Sequence, residues 1–165
     1  MFSTINSFNS TSSRRIKVNQ FTGRYFKFII DAIKGPNITN GVELSEIGIY
    51  YNSIQISNSG ITVTALDNYI DVSQLPPKIF DNDVNTKWFS NTVNNTVLFT
   101  YPSNITLNQY NYSSSDASAS FRFPVSWRLY GSLDNVTFKL LDQQTNYPIV
   151  TTGQTPNTII KLTNL

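Results

Sequence analysis

The chain is 165 residues long, carries a net charge of +2, and is 39% hydrophobic, 13% aromatic and only 13% charged. These values fit one domain that buries its own core without a crosslink or a metal. With no Cys and no His, it lacks the side chains for disulfide scaffolds, zinc, haem or iron–sulfur ligation, imidazole bases, and serine–histidine or cysteine–histidine nucleophiles. The missing charge is replaced by 20 Asn, 19 Ser and 18 Thr beside 11 Phe and 9 Tyr. Such a mixture suits pleated strands ended by polar turns, and suits neither a helical bundle nor a wholly disordered chain.

Charge is placed unevenly. Residues 1–34 hold six cations and one carboxylate, the remainder six cations and nine carboxylates. A weakly basic segment on an acidic body favours docking to a negative protein surface, and six charges are too few to imply a nucleic-acid partner. No apolar run reaches the ~18 residues a membrane span needs, and residues 1–13 are polar, without a signal-peptide core. Asn-X-Ser/Thr triplets at Asn9, Asn37, Asn94, Asn104, Asn111 and Asn135 are as frequent as this composition gives by chance and carry no weight as glycosylation sites. Residues 1–22 read as a low-complexity arm ending in Arg14, Arg15 and Lys17. Such an arm is disordered alone, and ordering it takes contacts with assembly partners or with its own chain.

From Arg24 onward, short apolar runs alternate with Asn, Gly, Pro and Ser. Tyr25 to Ile33 sets Phe26, Phe28 and Ile30 against Lys27 and Asp31, a period of two that predicts a strand. Residues 35–41 make a loop. Val42 to Tyr51 predicts a second strand whose parity slips between Leu44 and Ile47, the mark of a bulge. Further strands are predicted at Ser53–Ser57, Ile61–Ala65, Thr96–Phe99, Asn108–Tyr112, Val125–Tyr130, Thr137–Leu141 and Thr158–Leu162. About nine short strands imply a sandwich or a barrel. The longest irregular stretch runs from Leu66 to Asn95, where Pro76 and Pro77 are expected to block both helix and central strand; loops of this length usually carry function.

Within that stretch Asp81, Asp83, Asn85 and Thr86 gather oxygen ligands in six residues, the chemistry that hard cations such as calcium require. It is not an EF-hand loop, since Thr86 and Thr92 stand where Gly and Glu are needed. A turn in which Asp81 and Asn82 bond their own backbone explains the same residues.

The order Phe80-Asp81, Asp83, Thr86, Trp88, then Pro124-Val-Ser-Trp-Arg-Leu-Tyr-Gly-Ser-Leu-Asp134, Phe138 and Leu140-Leu-Asp142, together with Leu44-Ser-Glu-Ile-Gly-Ile-Tyr50, resembles the discoidin, or coagulation factor V/VIII type C, domains and the similar galactose-binding carbohydrate modules. The resemblance spans residues 24 to about 145. It implies an all-β, antiparallel jelly-roll β-sandwich of about eight strands over residues 23–165, behind the N-terminal arm. It also implies recognition of glycans or lipid headgroups by loops at one end, and a structural Ca2+ held by Asp81, Asp83, Thr86 and Glu46. Three features depart from the pattern. Asn82 stands where Gly often follows the first Asp, a tolerable change because Asn also visits left-handed backbone. The terminal disulfide of animal members cannot form. The strand pair from Arg24 to Tyr50, which usually closes such a domain, here comes first, as chain ends lying close together permit.

Trp127, in alternation with Val125 and Leu129, is expected in the core, as is Trp88; Arg122 is expected in an ion pair or as a loop anchor. Ligand contacts are expected from loop residues Tyr69, Asn68, Asp71, Asn91, Asn94 and Asp116, since sugars take an aromatic face against the ring and planar amides or carboxylates for hydroxyls. Catalysis could rest only on paired carboxylates, and the best pair in sequence, Asp81 with Asp83, is better used by a metal or a turn. The expectation is therefore a non-enzymatic binding module. The foremost reading is a virus or phage structural or decoration protein, held among other virion proteins through its arm (Arg14, Arg15, Lys17) and attaching to host glycans. The alternative is a lectin-like adhesion module, extracellular or on a cell surface and outside any virion.

Overall fold

The computed structural model describes residues 19–35, 41–67, 71–113, 121–148 and 159–163. Strand β1, Phe21–Ile33, buries every second side chain through Phe26, Phe28 and Ile30. It pairs antiparallel with β7 (Thr96–Leu107) on one side and with β9 (Pro124–Ser132) on the other. With β10 (Lys139–Gln144) and β5 (Thr62–Ala65) these strands form a five-stranded sheet in the order β10-β9-β1-β7-β5. A second sheet, β11-β8-β3-β4, is built from Ile160–Lys161, Gln109–Ser113, Glu46–Tyr51 and Ile54–Gln55. Strands β2 (Val42–Leu44) and β6 (Trp88–Ser90) pair separately. The architecture is an all-β antiparallel sandwich.

Ring stacking joins the two layers. Trp127, fully buried, lies 6.0 Å from the Phe28 ring and meets Tyr112 edge-on at 5.1 Å. Phe99 stacks on Phe26 at 5.2 Å and meets Phe80 at a tilt, 5.0 Å between centroids. A hydrogen-bonded chain crosses this core: Trp127 Nε1 donates to Tyr110 Oη (2.7 Å), which donates to the buried Asp142 Oδ2 (2.6 Å). Gln144 and Thr163 also donate to the Asp142 carboxylate. Burial and that carboxylate push the Tyr110 phenol well above its ordinary range.

Four expectations are corrected here. Val42 to Tyr51 is two strands in different sheets, because at the fully buried Ser45 the chain leaves β6 and takes up pairing with β8. β7 does not stop at Phe99 but runs to Leu107, and Pro102 is tolerated because residues 101–104 bulge away from β1, where the register jumps between Gly23 and Tyr25. Pro76 and Pro77 do not block helix: they open a short 3-10 helix, Pro76–Phe80, at the positions whose N–H has no partner to lose. The arm cannot extend to residue 22, since Phe21 and Thr22 already pair with Leu107 and Thr106. Arg14, Arg15 and Lys17 lie outside the described residues.

Candidate functional site

The acidic turn follows the Pro76–Phe80 helix, whose Ile79 and Phe80 are buried and fix where Asp81 emerges. Asn82 stands at φ 63°, the left-handed conformation that Asn visits more readily than most residues. This reversal brings the Asp83 N–H to Asp81 Oδ1 and to Glu46 Oε1 of β3, each at 3.0 Å. The hydroxyl of Thr86 donates to Asp81 Oδ2 at 2.8 Å, and the Lys78 ammonium lies 3.3 Å from the same oxygen. The carboxylate of Asp83 turns the other way and accepts from Asn85 N–H and Nδ2. Glu46, Asp81 and Thr86 therefore converge, while Asp83 contributes its backbone.

Electrostatics separate the two carboxylates. Burial, reinforced by the hydrogen bond to Asp81 and its charge, pushes Glu46 up from 4.5 to about 8, against the pull of the Asp83 and Asn82 N–H groups. Burial also pushes on Asp81, but the Thr86 hydroxyl, the Asp83 N–H, Glu46 and Lys78 outweigh it and hold Asp81 below its ordinary value. Glu46, Asp81 and Thr86 offer hard oxygens, as calcium prefers, with the Lys78 ammonium already against one Asp81 oxygen. The carboxylate count is two, and among the described residues no group of three or more acidic or metal-ligating side chains forms. A cation bound here would have to take its remaining oxygens from carbonyls and water.

A second constellation is built around the β2–β6 pair. Glu43 of β2 is fully buried and accepts from Arg122 Nη1 (2.5 Å) and Lys87 Nζ (3.1 Å). The Arg122 guanidinium lies 4.6 Å from the Phe89 ring. It is an ion pair and a loop anchor, as its position before Phe123-Pro124 implied. The buried Asn95 Nδ2 donates to Asp67 O and Ser90 Oγ, both at 2.8 Å, and Thr92 donates to the Asp67 carboxylate. Segments 66–67 and 90–95 are thereby tied together, with Asn91 and Asn94 exposed on the outside.

The chain matches no family model, no curated protein and no solved structure. Among the described residues, no helix is long and apolar enough to cross a membrane.

Of the expected ligand residues, Asn91, Asn94 and Asp71 are exposed. The Asp71 carboxylate accepts from Ser73 N–H (2.9 Å), Ser73 Oγ and Gln74, opening the short 3-10 helix Val72–Gln74. The Ser73 N–H and hydroxyl hold it below its ordinary value. Asn68, Tyr69 and Asp116 lie outside the described residues. Sequence reasoning missed Glu43, because a carboxylate inside a three-residue strand gives no sign that it will be buried.

Proposed function

We propose that the chain is a non-catalytic binding module on a discoidin-like jelly-roll sandwich. In this reading it is a structural or decoration component of a virus or phage particle, held by neighbouring virion proteins through its N-terminal arm and meeting host glycans with its irregular connections. The observation that carries the binding reading is the tying of segments 66–67 and 90–95 through buried Asn95, which leaves exposed Asn91 and Asn94 on a fixed support. Recognition residues are commonly carried on loops positioned by a rigid scaffold. The geometry of the acidic turn supports the same reading over catalysis. Glu46 and Asp81 accept the same Asp83 N–H, each at 3.0 Å, which sets them side by side, whereas glycosidases hold their carboxylates roughly 5–9.5 Å apart. Glu46, Asp81 and Thr86 are the residues that would hold a structural calcium, and the ion would neutralise the carboxylate pair and fix the turn.

Immunogold labelling with antibody to the chain tests the virion assignment. Gold on intact particles is expected; label confined to particle-free fractions would refute it. A lectin-like adhesion module outside any virion is the second reading, favoured by the outward amides of Asn91 and Asn94, and it places the label on cell surfaces instead.

A further inference from the structure

We infer that β5, an edge of the five-stranded sheet, pairs antiparallel with β5 of a second copy of the chain about Thr64, so that the two sheets run on as one. The inference goes beyond the proposed function and holds for a virion component and for an adhesion module alike.

An edge strand offers unpaired backbone groups to any neighbouring strand, and native sheets blunt such edges with charge, proline, bulges or brevity. The other edges of this sandwich are blunted. β10 carries Lys139 and breaks register between Leu140 and Asp142, while β11 and β4 are two residues long. β5 is different. Its Thr62-Val-Thr-Ala65 run keeps an unbroken register with Thr100 to Val97 of β7, and neither a charged residue nor a proline stands between Glu46 and Asp67.

The free groups follow from the ladder. Leu66 N–H donates to Thr96 O of β7 at 3.1 Å, and hydrogen-bonded positions alternate along an antiparallel pair. Thr64 and Thr62 therefore also turn their backbone groups toward β7, while the N–H and C=O of Val63 and Ala65 point away from it. Among the described residues nothing bonds to these outward groups. The Val63 and Ala65 side chains pack on the core, whereas Thr62 and Thr64 are exposed on the outer face. The Pro76–Phe80 helix lies near β5 on the core side, with Phe80 against Phe99.

The strand is complementary to itself. A two-fold axis at Thr64 sets Val63 opposite Ala65 of the second copy, so each such pair exchanges both N–H···O=C bonds and every free group just named is satisfied. Thr64 meets its own counterpart, and Leu66, 74% exposed in the single chain, meets Thr62; neither cross-strand pair opposes like charges. Charge selects the occupant: an edge without ions offers no match to an acidic or basic strand, whereas a second β5 is equally uncharged and of equal length.

Single cysteines test this register, because the chain has none of its own. In the paired form the two Thr64 residues face each other as a non-hydrogen-bonded pair with Cα atoms about 4.5 Å apart, within reach of a disulfide. Thr62, also exposed, lies opposite Leu66 instead. Under mild oxidation of the full chain, Thr64→Cys should give a covalent dimer on a non-reducing gel at least tenfold faster than Thr62→Cys. Equal rates, or no dimer from either variant, would overturn the pairing. Sedimentation velocity on the cysteine-free chain should show a dimer that grows with concentration. Thr64→Lys, which sets two ammonium groups face to face and leaves the core untouched, should weaken that dimer at least tenfold. A chain monomeric at its highest soluble concentration, or a dimer indifferent to Thr64→Lys, would refute the inference as well.

Discussion

Replacing Glu46 by Gln should abolish most of the pH dependence of stability between pH 5 and 9. In the wild type the Glu46 carboxyl titrates near 8 in the folded chain against 4.5 for the free group. Below 4.5 it is protonated in both states and its favourable contribution is fully present. Between 4.5 and 8 the folded chain keeps a proton that the unfolded chain has shed, so stability falls as pH rises; above 8 the loss is complete. At about 1.4 kcal/mol per pH unit the ceiling is about 5 kcal/mol. Glu46 is only half-buried, and Lys78 stands beside its partner Asp81, so solvent and counter-charge reduce the loss to about 1–2 kcal/mol, or about 4 °C in Tm for a chain of this size. Asp81 does not confuse the window, because its pKa is lowered and its contribution is lost only as pH falls below about 4. The amide introduced by Glu46→Gln would still accept the Asp83 N–H and could donate to Asp81, so the variant should show a flat profile and exceed the wild type above pH 8. Urea denaturation midpoints at half-unit intervals measure this. Parallel profiles for the two proteins, or a wild type gaining stability toward pH 9, would refute the reasoning.

Three further perturbations probe the surrounding structure. Millimolar calcium should raise the wild-type Tm by an amount corresponding to about 2.7 kcal/mol at a hundredfold excess over Kd, and raise that of the Glu46→Gln variant far less; a scanning-calorimetry trace unmoved by calcium removes the ion from the acidic turn. Tyr110→Phe leaves Trp127 Nε1 without its acceptor and Asp142 with one donor fewer, and should cost about 2–3 kcal/mol by urea denaturation, since buried polar groups that lose a partner forfeit their hydration as well; a loss under about 0.5 kcal/mol would show that water replaces the phenol. Glu43→Ala strips the shared carboxylate from Arg122 and Lys87, and because both cations are about a quarter exposed and can rehydrate, the cost by the same measurement should be about 1–3 kcal/mol, below that of a fully buried pair.

The parts of this fold that local pattern could reveal are those with a long period. β1 alternates over thirteen residues, and the Val125-Ser-Trp-Arg-Leu-Tyr run buries Trp127 as its spacing requires. Three-residue β2 and β6 are too short to show any period, and their pairing depends on a buried Glu43 and on Gly41. At φ 64°, Gly41 sits so close to Ser90 O that no Cβ fits between them. The contact of Glu46 with the acidic turn was expected from the family resemblance; nothing in either segment alone indicates it.

A glycan array probed with the labelled full chain, followed by mass spectrometry of the released glycans, tests most directly whether this molecule acts by binding and not by turnover. Selective signals with every bound glycan recovered at its original mass are predicted. An array at background, or glycans recovered shortened or eliminated, would contradict it.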